Sequence, residues 1–304
     1  MMPETQPETS TIEDERGILS LYERRKPVYK RTITVTEVGL LGFLVVIGLG
    51  PLLWLGKAAI TPTRDTLREP MALWPNGFDF ANLGTAWNHE NLDHYFLNTL
   101  AVAGGSWAGQ LLVATTAGYA LSVLRPRYGK ILTAMVLGTM LVPAVVLLVP
   151  LYLTVLDVPG LQISLINSFW AVWLPAAASP FNVILVKRFF DNLPREVFEA
   201  AMVDGAGPFR LFWSIVLPMS RPILGVVSVF AVVAAWKDFL WPLLVLPDPD
   251  KQPLSVRLPV LAEVIQLDVL LAALFISTLI PVVLFLVFQR FFLRGAGLSG
   301  AVKG

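Results

Sequence analysis

Residues 187–222 of the 304-residue chain read KRFFDNLPREVFEAAMVDGAGPFRLFWSIVLPMSRP, a stretch with five basic residues between two long apolar runs. Pro194 is tolerated in the first turn of a helix, so a helix is expected to begin there. Gly205 can adopt the left-handed conformation that ends a helix. A second helix is expected over Pro208–Val216. The stretch therefore predicts two short helices around a glycine turn.

The chain around this stretch is strongly apolar. Its residues are 55% hydrophobic and 15% charged, with a mean hydropathy of +0.67, whereas a soluble domain carries about 25% charged residues. This composition excludes a soluble globular domain, a collagen, a coiled coil and a disordered polar chain. A net charge of +1 gives no basic field for nucleic acid, so no such partner is expected. Because the chain has no cysteine, it has no disulfide framework and no thiolate metal site.

Six apolar runs are long enough to cross a bilayer, which takes about 20 residues in a helix. They predict an all-α membrane protein with six transmembrane helices, because buried helices of a soluble core rarely stay uncharged all round for this length. The fifth run carries two charged residues, Lys237 and Asp238. The runs are Val38–Leu55, Tyr95–Leu124, Ile131–Leu156, Ile166–Val186, Pro222–Val245 and Val269–Phe288.

The distribution of Lys and Arg predicts the orientation of these spans. The two tails and the even-numbered loops carry seventeen cations and the odd-numbered loops carry five. Since cytoplasmic loops are enriched in cations, both termini are expected in the cytoplasm. The predicted organisation is a cytoplasmic tail over 1–34, a transmembrane domain over 35–292 with a cytoplasmic loop at 187–221, and a cytoplasmic tail over 293–304.

The loop at 187–221 leaves two interpretations open from its residues alone. Val197, Ala200 and Ala201, with Phe198, are expected to form one apolar face of its first helix. The two helices then make either a compact knob that docks a partner protein or an amphipathic hairpin that lies on the membrane. The knob is favoured by the length of the loop, which exceeds that of an ordinary connection.

Three features outside this loop have ordinary structural interpretations. The proline-rich fifth loop, Pro247–Pro259, is expected to be an extended outer finger. Gly105 and Gly109 have the spacing that lets membrane helices approach closely. His89 and His94 in the first outer loop could belong to a metal site, but no further ligand cluster supports one, so no metal is expected.

The residues of the loop also carry a family resemblance. Glu199-Ala200-Ala201, three residues, Gly205, nine residues and Ile215-x-Leu217-Pro218 match the signature loop of bacterial ABC importer permeases. The chain from about Val38 to Gly304 resembles the carbohydrate-uptake branch, in particular permeases similar to the second permease of the maltose system. Tyr95-Phe-Leu-Asn-Thr-Leu, Phe239-Leu-Trp-Pro-Leu and the glycine-rich ending Phe292–Gly304 carry that likeness.

The resemblance implies the ABC type I importer permease fold in the bacterial cytoplasmic (inner) membrane and a mechanism of alternating access. A cytoplasmic ATPase dimer that binds ATP and Mg²⁺ would grip the loop and rock the spans as it closes. The contact residues that the resemblance implies are Glu199, Ala200, Ala201, Asp204, Gly205, Ile215, Leu217 and Pro218. It also implies a second, different permease subunit, an extracytoplasmic solute-binding protein and membrane lipid as partners.

The chain is not expected to be an enzyme or to bind a cofactor itself, because the sequence has no Gly-x-x-x-x-Gly-Lys-Ser/Thr loop to hold phosphates. A separate ATPase is therefore required. An intramembrane enzyme would need paired catalytic groups at depth, which the sequence does not offer. A channel or structural membrane subunit remains the third class.

A sugar or sugar-like solute is the expected substrate, with a polyol, an amino sugar or a glycerol-phosphate-type solute as alternatives. Charged residues inside a membrane span indicate a polar pathway, and tryptophan rings stack on sugars. The alternative for these residues is anchoring at the membrane interface. The candidates for the substrate pathway are Trp236, Lys237, Asp238, Trp241, Gln110 and Asn182, with Ser179 as a further lining residue. Family members often carry asparagine where this chain has Lys237.

Overall fold

A computed structural model describes residues 27–72, 74 and 77–297, which form helices, turns and loops without a β-strand. The predicted all-α class is confirmed. The first helices are α1 (Pro27–Ala59), α2 (Thr63–Arg68), α3 (Ala81–Gly84), α4 (Leu92–Leu124), α5 (Gly129–Thr139), α6 (Ala144–Leu156) and α7 (Trp170–Ala177). The remaining helices are α8 (Pro180–Asp191), α9 (Arg195–Val203), α10 (Pro208–Met219), α11 (Arg221–Lys237), α12 (Leu240–Val245), α13 (Leu254–Leu261) and α14 (Leu267–Gly297).

The chain divides into two compact units, one ending at Leu55 and the other beginning at Gly56. In its described part, the first unit consists of the N-terminal portion of α1. In the second unit α4 is central, since α7, α8 and α11 all pack along it. Of the predicted tails, residues 1–26 and 298–304 lie outside the described residues.

Two helices of the described chain are long and apolar enough to cross a membrane, Arg31–Ala59 and Leu92–Leu124. Two further pairs meet the same criterion if each bent pair is one span: α5 with α6, bent by 103°, and α10 with α11, bent by 78°. Leu267–Val283 is a shorter apolar helix. The count of six spans and the cytoplasmic placement of both termini stay predictions.

Three of the predicted runs are broken where the sequence has a proline or a charge. Pro143 precedes α6 and cannot donate the hydrogen bond that would continue α5. Ser179 caps α8 by accepting a hydrogen bond from the Asn182 amide at 3.4 Å, which separates α8 from α7. Asp238 has extended backbone angles and ends α11 before α12. Two of the interruptions leave partly buried polar side chains, Ser179 and Asp238, at helix ends.

Close approach between α4 and α7 depends on two glycines, as the sequence predicted. A Cβ atom at Gly105 would overlap the indole ring of Trp173, and one at Gly109 would lie 2.9 Å from the Cβ atom of Ala177. Trp173 also donates a hydrogen bond from Nε1 to the Ala101 carbonyl at 3.0 Å. Any larger side chain at Gly105 would therefore push α7 away from α4.

Three clusters of buried side chains hold the second unit together. The loop-end cluster joins α4, α8, α9 and α10 beside residues 187–221 and contains Tyr119, Phe190, Phe198, Leu211 and Phe212. A middle cluster joins α4, α6, α7 and α12, and an outer cluster joins α4, α11, α13 and α14 around Trp236. The loop at 187–221 is therefore connected to α4 by continuous apolar packing.

The prediction of an extended finger at Pro247–Pro259 is wrong, because these residues fold back onto the helices. They contain a 3₁₀ turn, Pro249–Lys251, and the first part of α13. The Leu254 amide donates a hydrogen bond to Thr99 Oγ1 at 2.8 Å, and Asn98 donates to the Asp250 carbonyl at 2.7 Å. Backbone groups that proline leaves without helical partners are satisfied here by side chains of α4.

His94 takes part in the same contact. Its Nε2 atom lies 2.6 Å from the carbonyl oxygen of Asp250, so the His94 ring helps to hold the fifth loop against α4. Among the described residues no group of three or more His, Cys, Asp or Glu side chains is placed to hold a metal ion.

Candidate functional site

The first helix of the signature loop, residues 187–221, is α9. Phe198 and Ala201, three residues apart, are its buried side chains and belong to the loop-end cluster. Glu199 and Ala200 are exposed on the opposite side. The predicted apolar face of Val197, Ala200 and Ala201 with Phe198 is thus partly wrong, because Phe198 and Ala201 are buried whereas Val197 and Ala200 are exposed.

Gly205 makes the turn after α9 in the way the sequence predicted. Its φ angle is +78°, and the Ala206 amide donates to the Ala201 carbonyl at 2.9 Å, which is the six-to-one bond of a Schellman motif. Asp204, the residue before it, is exposed and caps the helix. A Cβ atom at Gly205 would meet nothing within 4 Å, so backbone conformation alone requires glycine here.

The second helix, α10, runs farther than the predicted Pro208–Val216 and ends at Met219. The Leu217 amide donates to the Phe212 carbonyl, five residues earlier, so the middle of α10 is a π-helical turn. This turn precedes Pro218, which has no amide to donate, and π-bulges are one way in which helices absorb such a break. Ile215 and Leu217 are partly buried and Pro218 is exposed.

Large apolar side chains remain exposed on the signature loop. The exposed fraction is 88% for Val203, 76% for Phe209 and 57% for Met202. Trp213 lies beside Phe209, with ring centroids 6.2 Å apart, and is also exposed. Contiguous exposed apolar residues on a loop that is otherwise firmly packed are typical of a site that contacts another protein or the membrane.

Polar contacts fix the signature loop to α4 and α8. Tyr119 of α4 donates its hydroxyl hydrogen bond to the Pro208 carbonyl at 2.8 Å, at the start of α10. Asp191 accepts hydrogen bonds from Ser122 and Lys187, both at 2.7 Å. Burial works to raise the pKa of the Asp191 carboxyl, but these two hydrogen bonds and the nearby cations lower it overall.

A cavity of about 350 Å³ lies between α9 and the end of α4. Arg125, Asp191, Arg195 and Glu199 line it together with Tyr119 and other side chains of the loop-end cluster. Within the described chain no cation lies within 4 Å of the Glu199 carboxylate. The carboxylate of Glu199 is therefore available to a partner molecule at the edge of this cavity.

A second cavity, of about 310 Å³, lies between α4, α6, α7, α11 and α12 and is called the central cavity below. Gln110, Ser179, Asp238 and Trp241, four of the pathway candidates, line it. Asn182 donates a hydrogen bond to Gln110 Oε1 at 2.6 Å and thereby fixes the Gln110 amide. Trp241 donates from Nε1 to the Ala171 carbonyl at 2.9 Å, which fixes its ring.

Of the three remaining pathway candidates, Asn182 does not line the cavity itself but contacts Gln110, and Trp236 and Lys237 lie elsewhere. Trp236 is 7% exposed and packs edge-on against Phe96 in the outer cluster, with ring centroids 6.0 Å apart. Lys237 is exposed and does not line the central cavity. Trp236 and Lys237 are the last two residues of α11, whereas Asp238 has extended backbone angles after its end, and of these three residues only Asp238 lines the cavity.

Ser106 is a lining residue of the central cavity that sequence analysis missed. It is 0% exposed, and its hydroxyl has no hydrogen-bond partner among the described residues. The same holds for the carbonyl oxygen of the Asn182 side chain. Ser106 lies four residues before Gln110 and hence on the same face of α4, which is the signal that could have found it.

Comparison with protein families and relatives gives consistent matches. A profile of the family described as "Binding-protein-dependent transport system inner membrane component" matches residues 110–296. The probable ABC transporter permease protein YurM of Bacillus subtilis is 32% identical over 284 residues, and the match covers 92% of this chain and 92% of that protein. The diacetylchitobiose uptake system permease protein NgcG of Streptomyces coelicolor is 30% identical, with 81% of each chain covered.

Two further matches concern import and fold. The melibiose/raffinose/stachyose import permease protein MelC of Bacillus subtilis is 31% identical, over 76% of this chain and 84% of that protein. A solved structure of a bacterial ABC transporter involved in the import of the acidic polysaccharide alginate superposes with a TM-score of 0.77. It covers 87% of this chain and 98% of the matched chain at 21% identity, so the two share a fold.

Proposed function

The chain belongs to the family of binding-protein-dependent transport system inner membrane components, and from this premise we propose that it moves a sugar or sugar-like solute across the bacterial inner membrane. The relatives NgcG and MelC are named for the uptake of diacetylchitobiose and for the import of melibiose, raffinose and stachyose, respectively. As a permease component of an ABC transporter, the chain supplies a pathway and not the hydrolysis of ATP.

Coupling to an ATPase is assigned to the signature loop. The observation that carries this proposal is that α9 buries Phe198 and Ala201 while it leaves Glu199 and Ala200 at the surface. A partner that closes on the loop meets a carboxylate, a small side chain and the exposed apolar residues around them. Because Phe198 packs into the loop-end cluster with α4, a displacement of α9 is transmitted to α4.

The remaining contact residues of the signature loop have distinct roles in this proposal. Asp204 and Gly205 shape the turn, and Gly205 supplies the positive φ angle. Ile215, Leu217 and Pro218 shape α10 and the bend into α11. The ATPase would act as a dimer that holds ATP and Mg²⁺, with this chain on one half and a second, different permease on the other, and an extracytoplasmic binding protein would deliver the solute.

The substrate is assigned to the central cavity. Its polar lining consists of hydroxyl groups, one amide, one carboxylate and an indole ring, and it contains no cation among the described residues. Hydroxyl-rich solutes are matched by such donors and acceptors, and tryptophan offers an apolar face to a sugar ring. A glycerol-phosphate-type solute would need cationic side chains, so a neutral sugar, a polyol or an amino sugar fits better.

Uptake of labelled sugars by membrane vesicles tests this assignment. Gln110→Leu, which keeps the size of the side chain and removes its amide, is expected to raise the KM for uptake several-fold. Lys237→Asn is the matched control, because Lys237 lies on the adjacent helix outside the cavity, and uptake should stay unchanged. Equal uptake kinetics for the Gln110 variant and the unmodified protein would show that the substrate does not contact this cavity.

Co-purification tests the partners separately. The chain is extracted from its native membrane in mild detergent, and its partners are identified by mass spectrometry together with an ATPase assay. We expect an ATPase, a second permease and a solute-binding protein. Recovery of the chain without an ATPase would contradict the coupling role and favour a structural membrane subunit.

A further inference from the structure

A third cavity, of about 790 Å³, opens at the signature-loop end of the molecule between the end of α4, the beginning of α5 and the end of α8. It is called the basic cavity here because four of its lining residues are cations: Arg125, Arg127, Lys130 and Lys187. Asp191 is the one carboxylate in its lining. No element of the proposed transport mechanism uses it.

The charge in this cavity is not neutralised by the described residues. Asp191 is already engaged by Lys187 at 2.7 Å and by Ser122. Arg125 donates from Nε to the Ser122 carbonyl at 2.8 Å, which leaves the two terminal nitrogens of its guanidinium group for a ligand. Arg127 and Lys130 are exposed and make no ion pair with any residue that the structure describes.

The lining changes from cationic to apolar along α5. Lys130 lies in its first turn, Thr133 and Ala134 follow one turn later, and Leu137 lies near its end. At 1.5 Å per residue, the step from Lys130 to Leu137 is about 10 Å. A ligand along this wall would meet cations at one end and hydrocarbon at the other.

The outer surface of α5 continues this apolar wall. No side chain of α5 is buried, and the exposed fraction is 59% for Ile131 and 63% for Met135. In a membrane protein such a surface faces either lipid or another protein. The basic cavity therefore opens at the junction between an apolar helix surface and a cationic loop.

We propose that the basic cavity binds one anionic phospholipid, with its phosphate on Arg125, Arg127 and Lys130 and its acyl chain along Ala134 and Leu137. Clusters of Lys and Arg beside a membrane helix attract anionic headgroups, and basic pockets between helices are a recurrent headgroup site. Guanidinium groups add bidentate hydrogen bonds to phosphate. The apolar end favours a lipid over free phosphate.

This lipid would bridge the end of α4, the beginning of α5 and, through Lys187, the end of α8. Lys187 and Asp191 lie where α8 leads into the signature loop. A bound lipid therefore stabilises the position of the loop without touching α9. The inference needs only that the chain lies in a bilayer, so it stands or falls independently of the solute and of the ATPase.

The test measures retained lipid on the purified full-length chain. The chain is extracted from its native membrane in mild detergent, washed, and the phosphatidylglycerol per protein is quantified by mass spectrometry. The variant Arg125→Gln/Arg127→Gln/Lys130→Gln removes three cations of the cavity. The control Arg188→Gln/Arg210→Gln/Arg221→Gln removes three exposed cations of the same end that do not line the cavity.

We expect the first variant to retain about tenfold less phosphatidylglycerol than the control, since each cation contributes roughly a fivefold factor at most. Ala134→Phe, which narrows the apolar end and keeps every charge, is expected to lower retention as well. In nanodiscs, raising the phosphatidylglycerol fraction should raise the unfolding temperature of the unmodified protein and of the control, but not of the first variant.

Three outcomes would overturn the proposal. Equal lipid retention in the first variant and the control would show that the cavity holds no lipid. Unchanged retention in Ala134→Phe, together with displacement by millimolar inorganic phosphate, would assign the cavity to a free anion. Loss of the lipid from the unmodified chain whenever its ATPase co-purifies would assign these cations to the protein partner.

Discussion

The signature loop and the fifth loop, residues 247–259, are both rich in apolar residues, but they expose them differently. In the signature loop Val203 and Phe209 are 88% and 76% exposed. In the fifth loop Leu254 and Val256 are 1% and 0% exposed. Apolar side chains at the surface of a well-packed segment need a partner, whereas buried ones already have it. Under the proposed function the first loop docks a partner, whereas the second loop packs against α4.

The two loops are also attached by different means. The signature loop depends on side-chain packing, above all that of Phe198, and on charge at Asp191. The fifth loop is held by the burial of Leu254 and Val256 and, in addition, by hydrogen bonds between backbone groups and side chains, such as those at Thr99 and Asp250. In the proposed mechanism the packing at Phe198 transmits a displacement of the signature loop to α4, whereas the hydrogen bonds of the fifth loop hold one position. Four substitutions test this difference.

Phe198→Ala is expected to have the largest effect. It removes a nearly buried ring from the loop-end cluster, and Phe→Ala in a core lowers the free energy of unfolding by about 3–5 kcal/mol. The control Phe209→Ala removes the same side chain from the exposed surface and should leave stability within about 0.5 kcal/mol. Thermal unfolding of the purified chains measures both.

The same two variants, Phe198→Ala and Phe209→Ala, separate an effect on the stability of the chain from an effect on the stimulation of the ATPase. We expect Phe209→Ala to weaken the stimulation of the partner ATPase although the chain unfolds at an unchanged temperature. If Phe209→Ala destabilised the chain as much as Phe198→Ala, the exposed apolar surface would be part of the fold, and the contrast between the two loops would fail.

A comparison of Gly205→Val with Gly207→Val measures the contribution of the turn conformation at Gly205. Gly205 has a φ angle of +78°, whereas Gly207 has ordinary extended angles, and neither position has an atom that a Cβ would meet within 4 Å. A left-handed conformation costs a residue with a Cβ about 1–2 kcal/mol, and more if it is β-branched. Uptake should therefore fall by about tenfold in the first variant, since 1.4 kcal/mol corresponds to a factor of ten.

Gly205→Asp sharpens this prediction because it also places a charge beside Asp204. It should uncouple ATP hydrolysis from uptake. Normal uptake and normal ATPase stimulation in that variant would show that the turn at Gly205 takes no part in docking. An equal loss of uptake in Gly207→Val would show the same.

Thr99→Val tests the attachment of the fifth loop. The hydroxyl of Thr99 accepts the hydrogen bond of the buried Leu254 amide, and valine has nearly the same shape without an acceptor. An unsatisfied buried amide lowers the free energy of unfolding by about 1–3 kcal/mol. Thr116→Val on the same helix is the control, because Thr116 is exposed and bonds only to carbonyls of its own helix.

ATPase stimulation is the second measurement for this pair. Because the proposed coupling does not involve the fifth loop, we expect Thr99→Val to lower the unfolding temperature and to leave stimulation of the ATPase unchanged at a permissive temperature. A coupling defect without a stability defect would mean that the fifth loop also transmits the displacement.

The two loops differ again in how far their sequence predicted them. The helices and the turn of the signature loop follow from local signals, namely Pro194, Gly205 and Pro208, so the sequence of the loop itself was enough to predict them. The fifth loop also has local proline signals, but its conformation depends on Asn98 and Thr99, more than 150 residues away. No sequence pattern specifies those partners.

The central cavity shows the same limit. Gln110, Asp238 and Trp241 could be proposed because polar or aromatic residues in an apolar span are conspicuous. Trp236 and Lys237 were equally conspicuous, and only the break of α11 at Asp238 decides which of the neighbours reaches the cavity. Small hydroxyl residues such as Ser106 carry no such signal, since serine is common in helices that pack closely.

Asp191→Asn should have the smallest effect on the free energy of unfolding. The pH dependence of this effect shows whether the ionised carboxylate of Asp191 is its cause. Since the pKa of Asp191 is lowered below its ordinary value of 3.8, the ionised carboxylate stabilises the fold above pH 3.8. That stabilisation is lost as the pH falls through the lowered pKa. Near neutral pH the substitution should cost at most about 1 kcal/mol, because the pair with Lys187 is partly exposed.

Chemical denaturation of the purified chain at a series of pH values measures this difference. The gap between the unmodified protein and Asp191→Asn should be constant between pH 7 and pH 5 and should narrow below pH 3.8. Asp250→Asn is the control from the fifth loop, where His94 and Asn98 contact the backbone carbonyl of Asp250 and its carboxylate is not involved. An equal, pH-dependent gap in both variants would mean that charge holds both loops, so that only the exposure of their apolar side chains would still distinguish docking from closure.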